Sequence, residues 1–315
     1  MQQPTTGPLV FSLVLASLCG GCGKPRQAGG PGTTAPEGPV PAASANSAAL
    51  RYSELSAKLV QHAKIDFTTT GGGRYAAVTA ELGVDLEFQG SKDVREVRWK
   101  IVSVDDVTLS GALESGSDQP TQTLLELGAG VWLADAHGVV DLARTDAHPA
   151  NAPRKKMLAD VDADLASRAG DEPDAVPPPG AALLKLVPGL IELPRLPADP
   201  LKVGAPVTST QSHETRLTGT DIILPVEAKT ERTLVNLATS GGIRLAEISF
   251  VIDEWGGLDL DSGPVELHNV TKGRMLFDVD RGLPIDLGYT REESLVAGDI
   301  SYDTTKIVSA TFERE

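Results

Sequence analysis

Two cysteines, Cys19 and Cys22, are the only thiols in the chain, and they stand as C-G-G-C. A C-x-x-C pair does redox chemistry when it opens a helix beside a βαβ unit. Here it ends an apolar run, Leu9 to Leu18, and runs into a Gly/Pro-rich tract. Other groups that bear chemistry are scattered. His62, His137, His148, His213 and His268 show no metal-ligand spacing, and His213-Glu214 is not followed by the second histidine of a zinc-protease helix. Asp259-Leu260-Asp261-Ser262-Gly263, with Glu266, hints at a calcium loop. However, its glycine and its glutamate come too early for an EF-hand, and an acidic β-turn explains it better. There is no G-x-S-x-G nucleophile elbow and no phosphate-binding G-x-x-x-x-G-K loop. Gly71-Gly72-Gly73 precedes a strand rather than a helix, which makes it a loop. Asn269-Val270-Thr271 is a formal glycosylation sequon and nothing more. These residues predict no enzyme, no catalytic residue, no cofactor and no metal.

The apolar run is too short to span a bilayer as a helix, but it has the length of a secretory signal core. No charged residue precedes Lys24. The small pair Gly20-Gly21 before Cys22 resembles the lipobox of bacterial lipoprotein precursors. Cys19 stands where such a box usually has leucine. The resemblance implies that Cys22 is lipidated (palmitate among its acyl chains) and becomes the first residue of the mature chain. Residues 1–21 would be the signal peptide. An ordinary secretory signal, cut nearby, is the alternative. Lipidation would place the protein in the bacterial cell envelope, exported and held by its lipid. The outer membrane, facing the periplasm or the cell surface, is the expected site.

Residues 23–49 read GKPRQAGGPGTTAPEGPVPAASANSAA, in which ten of 27 are Gly or Pro and none is aromatic. Such a stretch buries too little apolar surface to offset its ordering entropy. Residues 22–49 therefore read as anchor and tether, with a root-mean-square span of roughly 30 Å.

Beyond the tether the elements are strands. Val78, Ala80, Leu82, Val84, Leu86 and Phe88 alternate with polar residues without a break, which predicts a long strand with one buried face. A hairpin at 89–93 returns it through Val97, Trp99 and Ile101, and Val107, Leu109 and Leu113 suggest a third strand. Leu55 to Phe67 fits either a strand, broken at Gln61, or a helix face, and leans to strand. The alternation resumes from Val226 and continues to Phe312, with a change of phase after Leu245 that suggests a bulge. Between the β-rich halves, 50–143 and 201–315, residues 144–200 form an excursion. It holds one short helix around Met157, Leu158, Val161 and Leu165, and a Pro-rich stop at 177–180. The expected fold is mainly β: an antiparallel meander in two halves, forming a curved sheet or a partly open barrel.

From Leu193 the chain reads LPRLPADPLKVG, and later Met275-Leu276-Phe277-Asp278 leads through Gly282-Leu283-Pro284 into a last hairpin. This arrangement resembles a family of uncharacterised bacterial exported proteins and lipoproteins, over roughly residues 50–313. The family usually carries Asp-x-Trp after the glycine, where this chain has Ala205-Pro206-Val207. The resemblance implies a setting and no activity.

Charge narrows the partners. The chain has 315 residues and a net charge of −15, which disfavours nucleic acid and adsorption to anionic lipid. The expected function is a non-enzymatic, lipid-anchored envelope protein with a structural or interaction role. The alternative is a carrier for a lipid or other apolar ligand in a β-sheet groove. Its expected partners are the membrane, through the anchor, and that apolar ligand.

Overall fold

A computed structural model describes residues 46–52, 57–71, 74–90, 94–113, 120–168, 178–190, 195–216, 223–260, 263–298 and 300–314. Cys19, Cys22 and most of the tether lie outside them. The strands are β1 (Ser47–Ala48), β2 (Ala57–Gly71), β3 (Arg74–Gly90), β4 (Arg95–Gly111), β5 (Ala129–Ala134), β6 (Leu201–Lys202), β7 (Pro206–Arg216), β8 (Ile223–Ser240), β9 (Ile243–Leu260), β10 (Gly263–Asp278), β11 (Leu283–Ala297) and β12 (Ile300–Arg314). The helices are α1 (Pro120–Leu127), α2 (Leu142–Asp146), α3 (Ala152–Arg168) and α4 (Pro179–Leu190), with a 3-10 turn at Pro149–Asn151.

Ten strands make one antiparallel sheet in the order β5-β4-β3-β2-β12-β11-β10-β9-β8-β7, and it does not close into a barrel. The fold is mainly β, as the alternation predicts. The last strand, β12, pairs with the first long strand, β2, so both β-rich halves share one sheet. The 17 residues of β3 would span ~55 Å when fully extended. A separate pair, β1 with β6, sits at the start of the second half. It lies partly within the stretch whose composition reads as tether: Ala48 is buried.

One face of the sheet, here called inner, is the core. Val78, Ala80, Leu82, Val84, Leu86 and Phe88 are all buried on it, as are Val97, Trp99 and Ile101 across the hairpin. Leu124 of α1 and Ala182, Leu183 and Leu184 of α4 pack into the same cluster. Over β2 to β4 the inner face is therefore closed core. Residues Ala57–Gly71 are strand, and Gln61 takes an inner position between Leu59 and Ala63.

The third strand suggested by Val107 and Leu109 is the continuation of β4. Two register shifts against β3 insert extra residues at Val102 and around Asp106, which has φ 51°. Each bulge swaps the face of the residues beyond it, so one strand looks like two in the sequence. The bulge suggested after Leu245 lies instead on the neighbouring strand: the β8–β9 register shifts between Leu234 and Asn236. The excursion holds more helix than its one apolar stripe predicts. Arg154, Lys155 and Lys156 at the start of α3 oppose the helix dipole. They are held otherwise: Arg154 lies 5.0 Å over the Trp99 ring, Lys155 donates to the Asp146 carbonyl at 3.1 Å, and Lys156 pairs with Asp160 at i+4.

The two edges of the sheet differ. On β5, the Val131 N–H donates to Asn151 Oδ1 at 2.9 Å, and Asn151 Nδ2 returns to the Val131 carbonyl at 3.0 Å. Thr145 Oγ1 accepts from the Leu133 N–H at 2.9 Å, and the Leu133 carbonyl accepts from the Asp141 N–H at 2.7 Å. Side chains from the helical excursion thus stand in for a missing neighbour strand and block edge pairing. The other edge, β7, is a polar strand reading PVTSTQSHETR.

Candidate ligand-binding site

The inner face is not uniformly apolar. Two buried apolar clusters lie along it. The larger contains the β3 face and the helices, and the smaller contains Leu224, Val226, Val265, Leu267, Leu295 and Tyr302. Between them, register aligns two rows rich in polar side chains across β2, β12, β11, β10 and β9. One row runs Thr69, Thr304, Glu293, Asn269, Glu254, and the next runs Phe67, Lys306, Arg291, Thr271, Ile252. All point inward, because side chains of one strand face the same way at every second residue.

Charge sorts by row, so carboxylates face cations one row away. Arg291 Nη2 donates to Glu293 Oε2 at 3.3 Å and lies 3.7 Å from Glu254 Oε2. With its amide oxygen turned to Arg291, Asn269 accepts from Nη2 at 2.6 Å and donates to Glu293 Oε2 at 3.0 Å. Thr304 Oγ1 donates to Thr69 Oγ1 at 3.1 Å. Lys306 is only 3% exposed, and its ammonium lies 5.4 Å from the centre of the Tyr289 ring. Such a belt costs desolvation, which hydrogen bonding within it offsets.

Two further guanidiniums extend the belt towards the β7 edge. Arg232 lies on the inner face of β8, opposite Phe250 of β9 and Val207 of β7. Arg195 arrives from the segment after α4, whose Leu196 N–H donates to the His137 carbonyl at 2.8 Å. Desolvation lowers the pKa of both arginines. Glu254 partly opposes this at Arg195, whereas Arg195 adds to it at Arg232, which falls to about 10. Among the described residues, Arg232 makes no hydrogen bond or ion pair. Beside the buried Leu234, Ala246 and Ile248, four apolar inner side chains on β7 to β9 are only half-buried: Val207, Leu237, Phe250 and Ile252. The counterparts of these on β2 and β3 are buried outright.

A separate open hollow of about 600 Å³ lies around the β10–β11 bulge at Ile285. Glu247, Asp286 and Glu313 line it with Arg274, so carboxylates outnumber its guanidinium.

The residues singled out in the sequence do not converge. His62 is exposed on β2, His137 sits in the turn after β5, and His148 Nδ1 accepts from the Ala150 N–H at 3.3 Å. His213 lies on β7, and His268 meets Asp253 at 2.9 Å on the outer face. Among the described residues no three His, Cys, Asp or Glu side chains gather as a metal would need. Asp259 lies on β9 and Glu266 on β10, while Asp261 and Ser262 of the acidic-turn reading lie outside the described residues. Asn269 and Thr271, which in sequence form only a sequon, are two members of the belt. Sequence reasoning missed Lys306, Arg291 and Glu293. The available signal was their parity with Val308 and Leu295, which carries polar letters onto an apolar face.

No family model matches the chain, and no curated protein or solved structure matches it either. Among the described residues no helix is long and apolar enough to cross a membrane.

Proposed function

We propose that this chain is a non-enzymatic, lipid-anchored protein of the bacterial envelope whose folded part carries a lipid or similar apolar ligand. The observation that supports the carrier role is the uneven cover of the inner face. Over β2 to β4 it is buried outright, with α1 and α4 in the same cluster, whereas Phe250, Ile252, Leu237 and Val207 towards the β7 edge stay half-exposed beside the buried Leu234, Ala246 and Ile248. Apolar side chains left partly open on the inner wall are what a lipid chain would cover, at roughly 25 cal/mol per Å² buried. The envelope setting is supported by the lipobox-like Gly20-Gly21-Cys22 and by the Gly/Pro-rich stretch after it. The resemblance to uncharacterised exported proteins and lipoproteins agrees with that setting.

Native mass spectrometry of the untagged protein, released gently from membranes, tests the carrier role. A lipid-sized adduct that detergent strips supports it. An adduct-free protein that also fails to take up an apolar fluorophore refutes it. The anchor has its own test: Cys22→Ser should move the protein to the soluble fraction or stall its processing, while Cys19→Ser should do neither. Membrane association that survives Cys22→Ser and is lost with Cys19→Ser would overturn the assignment.

A further inference from the structure

We infer that the hollow where β11 parts from β12 binds an organic cation, an amine or guanidine attached to an apolar group. The site lies on the outer face of the sheet and stands independently of the carrier role proposed above.

The backbone makes the hollow. β11 and β12 pair from Ala297 and Ile300 as far as Asp286 and Thr311, and there their ladder stops. β12 runs on against β2 to Arg314, while β11 runs on against β10 through Pro284 and Leu283. Ile285, between Asp286 and Pro284, is the extra residue of a bulge, and a bulge bends the strand that carries it. Pro284 beside it has no N–H with which to extend a ladder. The two strands therefore diverge, and the open hollow of about 600 Å³ lies where they do. That volume is within the range of small-molecule sites, roughly 300–1,000 Å³.

Its lining is of two kinds. Leu276 and Ile285 are half-buried, and Met275 and Phe312 belong to the main apolar cluster. Against this apolar part stand the carboxylates of Glu247, Asp286 and Glu313 and the single guanidinium of Arg274. Glu247 and Asp286 share one cross-strand row with Leu276 between them, and Glu313 lies two residues beyond Thr311, the partner of Asp286. Arg274 is a diagonal neighbour of both Glu247 and Asp286, a placement from which opposite charges on a sheet can pair. Among the described residues it pairs with neither, and no side-chain hydrogen bond or ion pair engages any of the three carboxylates. Elsewhere on the outer face charges do pair: Lys64 with Glu81, and His268 with Asp253. A cation entering the hollow meets three free carboxylates, which accept its N–H groups in charge-assisted hydrogen bonds. Among the described residues no three carboxylates gather as a bare metal ion would need, so the charge belongs to a group that reaches them by hydrogen bonds. The apolar part of the lining then covers the rest of the ligand. An anion would be repelled, and an uncharged molecule would leave the carboxylates unused.

The test is isothermal titration of the full chain with three probes: phenylbutylamine, phenylbutanol, which lacks the charge, and butylamine, which lacks the ring. The first should bind at least about tenfold more tightly than either of the others, the scale of one charge-assisted hydrogen bond or of one buried ring. Asp286→Asn and, separately, Glu313→Gln should each weaken phenylbutylamine about threefold or more. Arg274→Gln should strengthen it, because a competing cation is gone. Glu227→Gln, on the outer face of β8 and not in the lining, should change nothing. Far-ultraviolet circular dichroism checks that each variant is folded. Butylamine bound as tightly as phenylbutylamine would overturn the inference, as would Glu227→Gln weakening the amine as much as Asp286→Asn, because the net charge of the chain would then account for the binding. Phenylbutanol bound as tightly as the amine, or no binding of the amine at all, would overturn it too.

Discussion

Gln61 is 0% exposed, yet among the described residues neither its amide nitrogen nor its amide oxygen has a hydrogen-bond partner. It faces the core from β2, with Val84 of β3 on one side and Phe312 of β12 on the other. A buried amide without partners costs about 1–3 kcal/mol, so Gln61→Met, which keeps the volume, should stabilise the protein by about 1 kcal/mol or more. Urea unfolding measures this. A lower midpoint would mean that a buried water or a ligand group satisfies the amide. Lys306, Glu293 and Asn269 are as deeply buried but occupy the belt, where charge and hydrogen bonds meet them. Gln61 was visible in the sequence as a break in the alternation. That it is an unsatisfied group is decided only by its surroundings.

At the scale of the element, the edge strand β5 is held at Val131 by one side chain. Asn151 holds both the N–H and the carbonyl of Val131, and its Nδ2 also donates to the Thr145 carbonyl at 2.7 Å. The fit leaves no room at Gly130, where a Cβ would come within 2.6 Å of Asn151 Oδ1 and 2.7 Å of the Trp99 ring. Asn151→Ala leaves two buried backbone groups of Val131 bare and should cost about 3 kcal/mol in urea unfolding. Gln122→Ala removes only an exposed contact to Glu126 and should stay within about 0.5 kcal/mol of the parent. Similar losses in the two variants would mean that water replaces Asn151 at the edge. Local sequence announces none of this: Asn151 and Val131 are 20 residues apart, and nothing in either segment's pattern names the other.

For the molecule as a whole, the boundary between tether and fold sets the stability of a truncated chain. Ser47 pairs with Lys202 and Ala48 with Leu201, and Leu50 and Tyr52 are buried in the main cluster. A chain that starts at Asn46 should melt with the full-length protein. One that starts at Leu50 loses the β1–β6 pairing and the burial of Ala48, about 1 kcal/mol or more, and should melt roughly 2–4 °C lower. Calorimetry on the three lengths decides it. An equal loss at Asn46 would mean that residues before it also pack.

The sequence by itself determined the strand faces wherever alternation ran unbroken. Val78 to Phe88 and Val97 to Ile101 lie as their parity requires, since a period of two is a local property of an extended chain. It also determined a mainly β fold with strands on each side of a helical excursion. The tertiary structure alone decided where parity changes. The bulges at Val102 and Asp106 made β4 look like two strands, and the bulge beside β9 sits on its neighbour. Ile307 reads as the start of an apolar run, yet it points outward and is 46% exposed, while Lys306 points in. The belt has the same origin. Glu293, Asn269, Glu254 and Thr304 come from four strands and are brought into one row by register. Register is a relation between segments far apart in the chain, fixed by which faces can be buried together. No window of sequence contains that relation. The charge pattern of the inner face therefore exists only once the sheet has formed.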